Sequence, residues 1–349
     1  MDTGNIRKLP EFDDHRVVSV VFDEKSGLEG YIAIHNNNLG PAVGGTRMFA
    51  YARKRDGLRD VLRLSRAMSY KCALAGVKYG GGKAVIIGDP KKLKSKKLLK
   101  AYAQNIGKLG GAFYTGEDVG ISEEDVQYML TVAPYFIGKS GVAGDPSPYA
   151  AMSTYVAMKA VVTKVLGKNS TKGLKVGVKG VGKVGSTLVE MLIRDKAELY
   201  IADIDRKAVS RIRSRFSNVK VVNHEDIIGL KLDVFAPCAM GNEVNESTID
   251  SIGANVICGG ANNQLANEKM GDELYKRGIC YVPDYVSNAG GLIDVVDELE
   301  DGGYTKSRVI KRINNIENTV LNIMNSSRSR NLSTNRVADE MAEKIFLKN

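Results

Sequence analysis

Two short segments near the start of this 349-residue chain alternate between hydrophobic and polar positions. Residues 16–22 (RVVSVVF) and 30–36 (GYIAIHN) have the period of two that is typical of β-strands, and a Ser-Gly pair between them favours a turn. The pattern therefore predicts two antiparallel strands.

A helical period follows these strands. In residues 55–75 the apolar positions recur three and four residues apart, which predicts an amphipathic helix, whereas residues 84–88 (AVIIG) form a short apolar run that predicts a buried strand. Ser122 and Asp125 have the spacing of a helix N-cap ahead of the segment VQYML. This first part of the chain is predicted to be α+β or α/β.

The two prolines of residues 144–148 (GDPSP) mark a break, and a helical segment follows at about 149–166. Beyond it, strands and helices alternate, which is typical of a parallel, doubly wound sheet. The predicted strands lie at 174–179, 198–202, 219–222, 233–236, 255–258 and 279–282, and the predicted helices between them at 183–194 and 206–215. Two further helices are predicted at about 305–325 and 335–347, the last packing back on the first part of the chain.

Length and composition fit two globular domains. A chain of this length exceeds the usual size of one core, and 43% hydrophobic with 26% charged residues is an ordinary globular composition. No apolar stretch approaches the roughly 20 residues that span a bilayer, and the N-terminus lacks the apolar segment of a signal peptide. These two observations lead us to expect no membrane association. Because the four cysteines and three histidines are scattered, we also expect a reduced, cytoplasmic protein with no disulfide scaffold and no metal site.

A net charge of +10 is also compatible with nucleic-acid binding. Residues 90–100 (PKKLKSKKLLK) hold six lysines, but no aromatic residues are interleaved with them, as a single-strand binding surface requires. The leucines in this segment favour a solvated helix start, and we expect no nucleic-acid partner.

A glycine-rich turn in the second part has the features of a dinucleotide site. Gly180, Gly182 and Gly185 form a G-x-G-x-x-G pattern directly after a predicted strand and at the start of a predicted helix. The first glycine permits the tight turn, the second lets the backbone approach a pyrophosphate, and the third lets the helix pack closely on the sheet. The helix N-terminus then faces the phosphates.

Asp203 at the end of the next predicted strand favours NAD over NADP. A carboxylate at this place accepts hydrogen bonds from the ribose hydroxyls and repels a 2′-phosphate. Two alternatives stay open: Asp203 caps the following helix, or Arg206 and Lys207 tolerate the phosphate of NADP.

Two lysines and one carboxylate stand in glycine-rich segments of the first part: Lys71, Lys83 after three glycines, and Asp118 in YTGEDVG. Chemistry at the α-carbon of an amino acid needs such groups: a cation for the carboxylate, an amine of lowered pKa beside the reacting carbon, and a carboxylate that exchanges protons. Structural roles explain the same residues, since the glycines suit a turn before a buried strand, Lys71 suits a helix C-terminus, and Asp118 suits a cap.

Motifs along nearly the whole chain, from about residue 15 to 345, resemble the glutamate/leucine/phenylalanine/valine dehydrogenase family, nearest its leucine and phenylalanine branch. The segments that carry the resemblance are GPAVGGTRM (40–48), SYKCALAGVKYGGGKAVIIGDP (69–90), YTGEDVG (114–120), GDPSP (144–148), GVGKVG (180–185), FAPCAMG (235–241), GGANNQL (259–265) and PDYVSNAGGLIDVVDE (283–298).

The resemblance implies reversible oxidative deamination of an apolar L-amino acid to the 2-oxo acid and ammonia, leucine or another branched-chain residue first and phenylalanine next, with NAD as cofactor. It also implies an N-terminal α/β substrate-binding and oligomerisation domain over 1–145, completed by a C-terminal helix at about 330–349. A doubly wound Rossmann domain over 146–329 completes the chain, with a cleft between the two domains.

The resemblance assigns roles to individual residues. Lys83 and Asp118 are implied to be catalytic, with Lys83 orienting the attacking water and Asp118 exchanging protons with the amino group. The implied substrate-binding residues are Lys71, Gly44, Gly45, Asn262, Val43, Gly116, Asn288, Leu292 and Val295. The implied cofactor-binding residues are Gly180, Val181, Gly182, Lys183, Val184, Gly185, Asp203, Cys238, Ala239 and Asn262.

Three features depart from the leucine branch. Ala150 stands where leucine dehydrogenases usually carry a threonine that binds the nicotinamide amide, and we consider Ser153 as a replacement. The chain also stops short of the longer tail of many leucine dehydrogenases, so a homo-oligomer is expected but an octamer is in doubt. Three residues favour the phenylalanine branch instead: Leu292, Lys183 and Gly116, the last of which adds room for a larger substrate.

The alternative hypothesis is a catalytically silent dinucleotide-binding sensor or partner protein on the same fold.

Overall fold

Residues 6–347 are described by a computed structural model of the chain. Their contacts divide them into two units. Unit 1 holds residues 6–145, 295–305 and 342–347, and unit 2 holds residues 146–294 and 306–341. The predicted break at GDPSP coincides with the change from unit 1 to unit 2 after Asp145.

Unit 1 is built on a five-stranded mixed sheet. Its strands are β1 (Val17–Asp23), β2 (Leu28–Asn36), β3 (Ala42–Phe49), β4 (Gly80–Ile87) and β5 (Phe113–Gly116), in the order β1-β2-β4-β3-β5. The first hairpin is antiparallel, as its alternating pattern predicts, and β2 also pairs antiparallel with β4. Strand β3 runs parallel to both β4 and β5.

Helices cover both faces of this sheet. They are α1 (Lys54–Ala75), α2 (Pro90–Leu93), α3 (Lys96–Gly107) and α4 (Glu123–Leu130). On one face Leu58 and Leu62 of α1 pack with Val85 of β4. On the other face Tyr102 of α3 belongs to a buried cluster with Phe113 of β5. The predicted cap of α4 is a complete capping box.

The three glycines before Lys83 lie inside β4 and do not form a turn in front of it, which corrects the structural alternative for this segment. A side chain on Gly80 would start 2.1 Å from the carbonyl oxygen of Asn36. One on Gly81 would start 2.0 Å from the backbone nitrogen of Ser69 in α1, and one on Gly82 would start 2.7 Å from the ring of Phe113. Glycine is therefore required because neighbouring backbones approach Gly80 and Gly81 closely and the ring of Phe113 packs on Gly82.

Unit 2 is built on a six-stranded parallel sheet, as the alternation of strands and helices predicts. Its strands are β6 (Lys175–Lys179), β7 (Glu198–Ala202), β8 (Lys220–Val221), β9 (Leu232–Pro237), β10 (Ala254–Ile257) and β11 (Cys280–Tyr281), in the order β11-β10-β9-β6-β7-β8. The connections leave β6 in one direction for β7 and β8 and return to β9 on its other side. This order is the doubly wound Rossmann arrangement, in which ligands bind at the switch between the two halves.

Nine α-helices of the described chain follow α4. They are α5 (Ser147–Val161), α6 (Lys183–Arg194), α7 (Arg206–Arg215), α8 (Glu268–Lys276), α9 (Asp284–Ser287), α10 (Gly290–Val296), α11 (Lys306–Asn314), α12 (Ile316–Arg330) and α13 (Thr334–Leu347). The predicted single helix at 305–325 is wrong: α11 and α12 are separated at Asn315, whose N–H is shared between the carbonyls of Lys311 and Arg312.

The predicted return of residues 330–349 to unit 1 needs correction. Helix α12 and the first turns of α13 belong to unit 2, where Thr334 donates to the carbonyl of Tyr281. Of the described residues in this range, only 342–347 join unit 1, through Phe346, which packs edge-on against Tyr70. Residues 295–305, which the sequence placed in the Rossmann domain, also belong to unit 1.

The helices of the described residues include none with the length and apolar character needed to cross a bilayer. Within residues 6–347 the His, Cys, Asp and Glu side chains form no group of three or more that could hold a metal ion.

Candidate active site

Lys83 and Asp118 form an ion pair in unit 1. Lys83 is the fourth residue of β4 and only 8% exposed, and Asp118 lies two residues beyond the end of β5. The Nζ atom of Lys83 lies 2.6 Å from Oδ2 of Asp118. The two residues that the family resemblance implies to be catalytic are thus in direct contact.

The glycines of β3 leave space for this pair. A Cβ atom on Gly45 would lie 3.3 Å from Nζ of Lys83 and 2.9 Å from Cβ of Asp118. A Cβ atom on Gly44 would lie 1.9 Å from the carbonyl oxygen of Gly82 in β4. Both positions therefore exclude a side chain, and the lysine lies against bare backbone.

The Asp118 carboxyl is held in its ionised form. Burial alone raises the pKa of Asp118, but the charges of Lys83 and Arg47 and a hydrogen bond from Lys83 outweigh burial and lower this pKa to about 2. The carboxylate is therefore charged at neutral pH and can accept a proton from a group brought beside it.

Arg47 is the functional candidate that the sequence analysis missed. Its Nε atom lies 3.4 Å from Oδ2 of Asp118, and its Nη1 atom donates to Oδ2 of Asp60 on α1 at 3.0 Å. Asp60 also accepts hydrogen bonds from Tyr51 at 2.6 Å and Arg63 at 2.9 Å. The sequence did contain a signal for Arg47: it follows Gly45 by two residues, so the two residues lie on the same face of β3.

Lys71 lies near the C-terminal end of α1, four residues before its last residue, Ala75, and is half-buried. Two residues earlier, Ser69 presses on Gly81 of β4, so the helix that carries Lys71 lies against the strand that carries Lys83. The structure thus puts both lysines on elements packed together in unit 1.

The space beside Gly116 contradicts one prediction. A Cβ atom on Gly116 would lie 2.8 Å from the carbonyl oxygen of Ile137 and 3.3 Å from its Cγ1 atom. Glycine is needed here for packing against Ile137, so it does not by itself create room for a larger substrate. Val43, predicted to line the same pocket, is fully buried in β3.

Leu292 and Val295 lie on α10, and both are partly exposed. The division into units falls inside this helix, after Asp294, so Leu292 belongs to unit 2 and Val295 to unit 1.

In unit 2 the glycine-rich turn has the predicted geometry. Gly180 has a φ of +95°, and a Cβ atom there would lie 2.6 Å from the backbone nitrogen of Ala239. Gly185 has no room for a side chain, because its Cβ would lie 1.9 Å from the carbonyl oxygen of Gly180. A Cβ on Gly182, in contrast, would meet no atom within 4 Å. The backbone at Gly182 is thus open to a close ligand, as a pyrophosphate requires.

The flanking residues of the turn differ in exposure. Val181 is buried, Val184 is half-buried and Lys183, the first residue of α6, is exposed. Cys238 closes the turn from the end of β9, since its N–H donates to the carbonyl of Lys179 at 2.7 Å. Strands β6 and β9 therefore meet at the switch point through these residues.

Asp203 supports the turn and does not cap the next helix. Its Oδ2 atom accepts from the N–H of Val181 at 2.7 Å, and its Oδ1 atom accepts from the N–H of Asp205 at 2.8 Å. The cap of α7 is Asp205, which accepts from the N–H of Lys207. The capping alternative for Asp203 is therefore wrong.

Asn262 and Asn288 are brought together in unit 2. The Nδ2 atom of Asn288 donates to Oδ1 of Asn262 at 2.8 Å and also contacts the carbonyls of Gly260 and Ala261. Among the described residues, Oδ1 of Asn288 is buried and finds no hydrogen-bond donor. A buried acceptor of this kind is costly unless a ligand supplies a donor, which is consistent with a binding role.

The expectation that Ser153 replaces the hydroxyl missing at Ala150 is contradicted. The Ser153 hydroxyl is fully buried, contacts the carbonyls of Ala150 at 2.9 Å and Ser287 at 2.7 Å, and accepts from the N–H of Gly290. Its one hydrogen and one of its two lone pairs are used within unit 2, where the hydroxyl is buried.

Comparisons with known proteins agree with these features. Residues 14–135 match the family model described as Glu/Leu/Phe/Val dehydrogenase, dimerisation domain, and residues 193–343 match the model described as Glutamate/Leucine/Phenylalanine/Valine dehydrogenase.

Similar proteins align over almost the full chain. Leucine dehydrogenase of Geobacillus stearothermophilus is 42% identical over 96% of this chain and 92% of its own length. Phenylalanine dehydrogenase of Thermoactinomyces intermedius is 42% identical over 94% and 90%. Valine dehydrogenase of Streptomyces virginiae is 41% identical over 98% and 97%.

Solved structures share the fold. The crystal structure of L-tryptophan dehydrogenase from Nostoc punctiforme superposes with a TM-score of 0.84 at 37% identity and covers 96% of each chain.

Proposed function

Because this chain belongs to the Glu/Leu/Phe/Val dehydrogenase family, we propose that it catalyses reversible NAD-dependent oxidative deamination of an apolar L-amino acid. The chain is an amino-acid dehydrogenase, and its products in this proposal are the 2-oxo acid and ammonia. The contact of 2.6 Å between Lys83 and Asp118 carries the proposal, because it pairs an amine with an ionised carboxylate against bare glycine backbone.

The proposed roles in unit 1 follow from charge and position. Lys71 binds the substrate carboxylate, helped by the backbone of Gly44 and Gly45. Lys83 orients the attacking water and stabilises the negative charge that develops as the water adds. Asp118, ionised before substrate binds, takes a proton from the amino group and returns it in the reverse direction.

The glycine-rich turn of unit 2 would hold the dinucleotide. The open backbone at Gly182 and the N-terminus of α6 suit the pyrophosphate, and Asp203 suits the ribose hydroxyls of NAD. When bound, NAD supplies the acceptor for the hydride that leaves the substrate α-carbon. Asn262 and Asn288 are proposed to bind substrate or nicotinamide through the buried acceptor of Asn288.

An apolar substrate is supported by the relatives, which are named for leucine, phenylalanine and valine. We propose leucine or another branched-chain amino acid as the preferred substrate and phenylalanine as the next. The packing of Gly116 against Ile137 removes one argument for the larger substrate. Val43, Leu292 and Val295 keep their proposed role in binding the substrate, and all three are apolar.

We further propose a homo-oligomer in the cytoplasm, since residues 14–135 match a domain described as a dimerisation domain. Unit 1 is the proposed substrate-binding and oligomerisation domain, and unit 2 the NAD-binding domain. A catalytically silent sensor on the same fold is disfavoured, because such a protein has no need for the pair of Lys83 and Asp118.

The decisive experiment is an assay of NADH formation with leucine, valine, isoleucine, phenylalanine and glutamate. We expect turnover with the apolar amino acids and little with glutamate. Lys83→Ala should abolish turnover and leave the Kd for NAD within about threefold, because its defect is confined to unit 1. A wild-type chain that binds NAD but oxidises none of these amino acids contradicts the proposal.

A further inference from the structure

Arg47 joins the Asp118 carboxylate to helix α1, and the proposed mechanism gives it no role. Its guanidinium lies between two carboxylates, with Nε 3.4 Å from Asp118 and Nη1 3.0 Å from Asp60. We propose that Arg47 is a positioning residue that holds the Asp118 carboxylate in place for proton exchange and is itself held by Asp60. This inference rests on the proposed function of Asp118.

One oxygen of Asp118 is shared between two cations. Lys83 lies 2.6 Å and Arg47 3.4 Å from the same Oδ2 atom. In the proposed reaction the Lys83 ammonium must also serve the incoming water and the reacting carbon, so its hold on Asp118 weakens during turnover. Arg47 does not leave, because a guanidinium stays protonated at every pH at which the enzyme works.

The surroundings of Arg47 keep its guanidinium in one orientation. The side chain is only 22% exposed, and Asp60, its anchor, is 14% exposed. Asp60 is fixed by the hydroxyl of Tyr51 at 2.6 Å and by Arg63 at 2.9 Å. The Nε group of Arg47 is buried and, within residues 6–347, forms no hydrogen bond of normal geometry, so its contact with Asp118 is an ion pair.

Charge distinguishes this role from simple packing. The charged and titratable groups around the Asp118–Arg47 contact are Lys83 on β4, Asp60 and Arg63 on α1, and Tyr51 before α1. Removing Arg47 leaves Asp118 with one cation in place of two and leaves Asp60 nearby as an added negative charge. A proton then binds Asp118 more readily, and its carboxylate loses one of its two points of attachment.

The test compares Arg47→Gln, Arg47→Lys and the matched control Arg59→Gln. Arg59 lies on α1 one residue before Asp60 and pairs with Glu11 at 2.7 Å, so its removal makes the same charge change outside the network. The measurements are kcat, KM for the amino acid and Kd for NAD, together with the pH dependence of kcat.

We expect Arg47→Gln to lower kcat by roughly 100-fold, the scale of a misplaced acid–base group, with KM and the Kd for NAD within about threefold. The acidic limb of its kcat profile should move to higher pH. Arg47→Lys should have a kcat at least about tenfold higher than that of Arg47→Gln, since lysine restores the positive charge without the planar guanidinium group. Arg59→Gln should stay within about threefold of wild type.

Equal kcat values for Arg47→Gln and Arg59→Gln, or a lower kcat with an unmoved acidic limb, overturn the positioning role. Failure of the proposed function is seen separately, as a wild-type chain that turns over no amino acid. In that case the proton-exchange role falls with it, and the urea midpoint of unfolding decides whether the contact exists. Arg47→Gln is then compared in the wild-type and in the Asp118→Asn background. A loss of stability that is equally large in both backgrounds overturns the contact as well.

Discussion

The backbone nitrogen of Ser69 lies 2.0 Å from the position that a Cβ atom would take on Gly81. This distance is shorter than any non-bonded contact, and the Ser69 hydroxyl would lie only 2.3 Å away. Helix α1 and strand β4 therefore touch backbone to backbone two residues before Lys71 and two residues before Lys83. The glycines before Lys83 bring the two lysine-bearing elements together.

Gly81→Ala should destabilise unit 1 strongly, because α1 has to move away from β4 to admit a methyl group. We expect a loss of about 2–4 kcal/mol in the free energy of unfolding, measured by urea denaturation. Gly107→Ala is the matched control, since its Cβ would meet only Ala133 at 3.5 Å at the end of α3. That variant should be neutral or gain up to about 1 kcal/mol, and equal stabilities of the two variants contradict the close approach.

Gly116→Ala should lower activity with every amino-acid substrate to a similar degree and should not change the substrate preference. The added methyl would meet the carbonyl oxygen of Ile137 at 2.8 Å, so β5 and the segment after it must separate. We expect kcat/KM for leucine and for phenylalanine to fall by similar factors. A selective loss with phenylalanine would instead show that the methyl group projects into the substrate pocket.

Asp203→Ala should weaken NAD binding by about tenfold and narrow the ratio of NAD to NADP affinity. The variant removes both the acceptor proposed for the ribose and the acceptor that holds the N–H of Val181. Asp205→Ala is the control, because Asp205 caps α7. It should lower stability by about 1 kcal/mol and leave the affinity ratio unchanged. Equal affinity ratios for the two variants rule out a cofactor role for Asp203.

We expect the protein to become less stable as the pH falls from about 6.5 to 4, because His15 is buried in its neutral form. Burial is the main reason that the pKa of His15 is lowered to about 4, with the neighbouring His35 and Arg66 acting in the same direction. Its Nδ1 atom accepts from the N–H of Asp13 at 3.1 Å, and Nε2 lies 3.0 Å from the carbonyl of Leu62, so the neutral ring fits this site.

Because the folded-state pKa of His15 lies below its unfolded value, its contribution to stability is complete above pH 6.5 and lost as the pH falls through 4. The contribution is at most about 3 kcal/mol. His15→Gln should be less stable than wild type at pH 8 and should lose less stability between pH 6.5 and 4. Urea unfolding at several pH values measures both slopes, and parallel slopes contradict the assignment.

The dinucleotide unit was largely predictable from sequence because its signals are local. The spacing of Gly180, Gly182 and Gly185 between a strand and a helix encodes the turn directly, and the position of Asp203 follows from the next strand. The order of the parallel sheet then follows from right-handed strand–helix–strand connections.

Unit 1 was less predictable because its glycines violate strand preferences. Three consecutive glycines indicate a turn on propensity alone, yet Gly80, Gly81 and Gly82 lie in β4 because non-local neighbours leave no space for side chains. The importance of Arg47 depends on Asp60, 13 residues away on a helix. Neither the distance nor the orientation of such a pair can be obtained from residue types.

Residues 342–347 have a consequence for synthesis on the ribosome. Phe346 packs against His35 and Tyr70, and Glu343 accepts the Tyr70 hydroxyl, so unit 1 is completed by a segment translated some 270 residues after Tyr70. Until that segment emerges, the aromatic surface of the nascent N-terminal sheet and helix has no cover. Over that interval the uncovered surface exposes unit 1 to aggregation during synthesis.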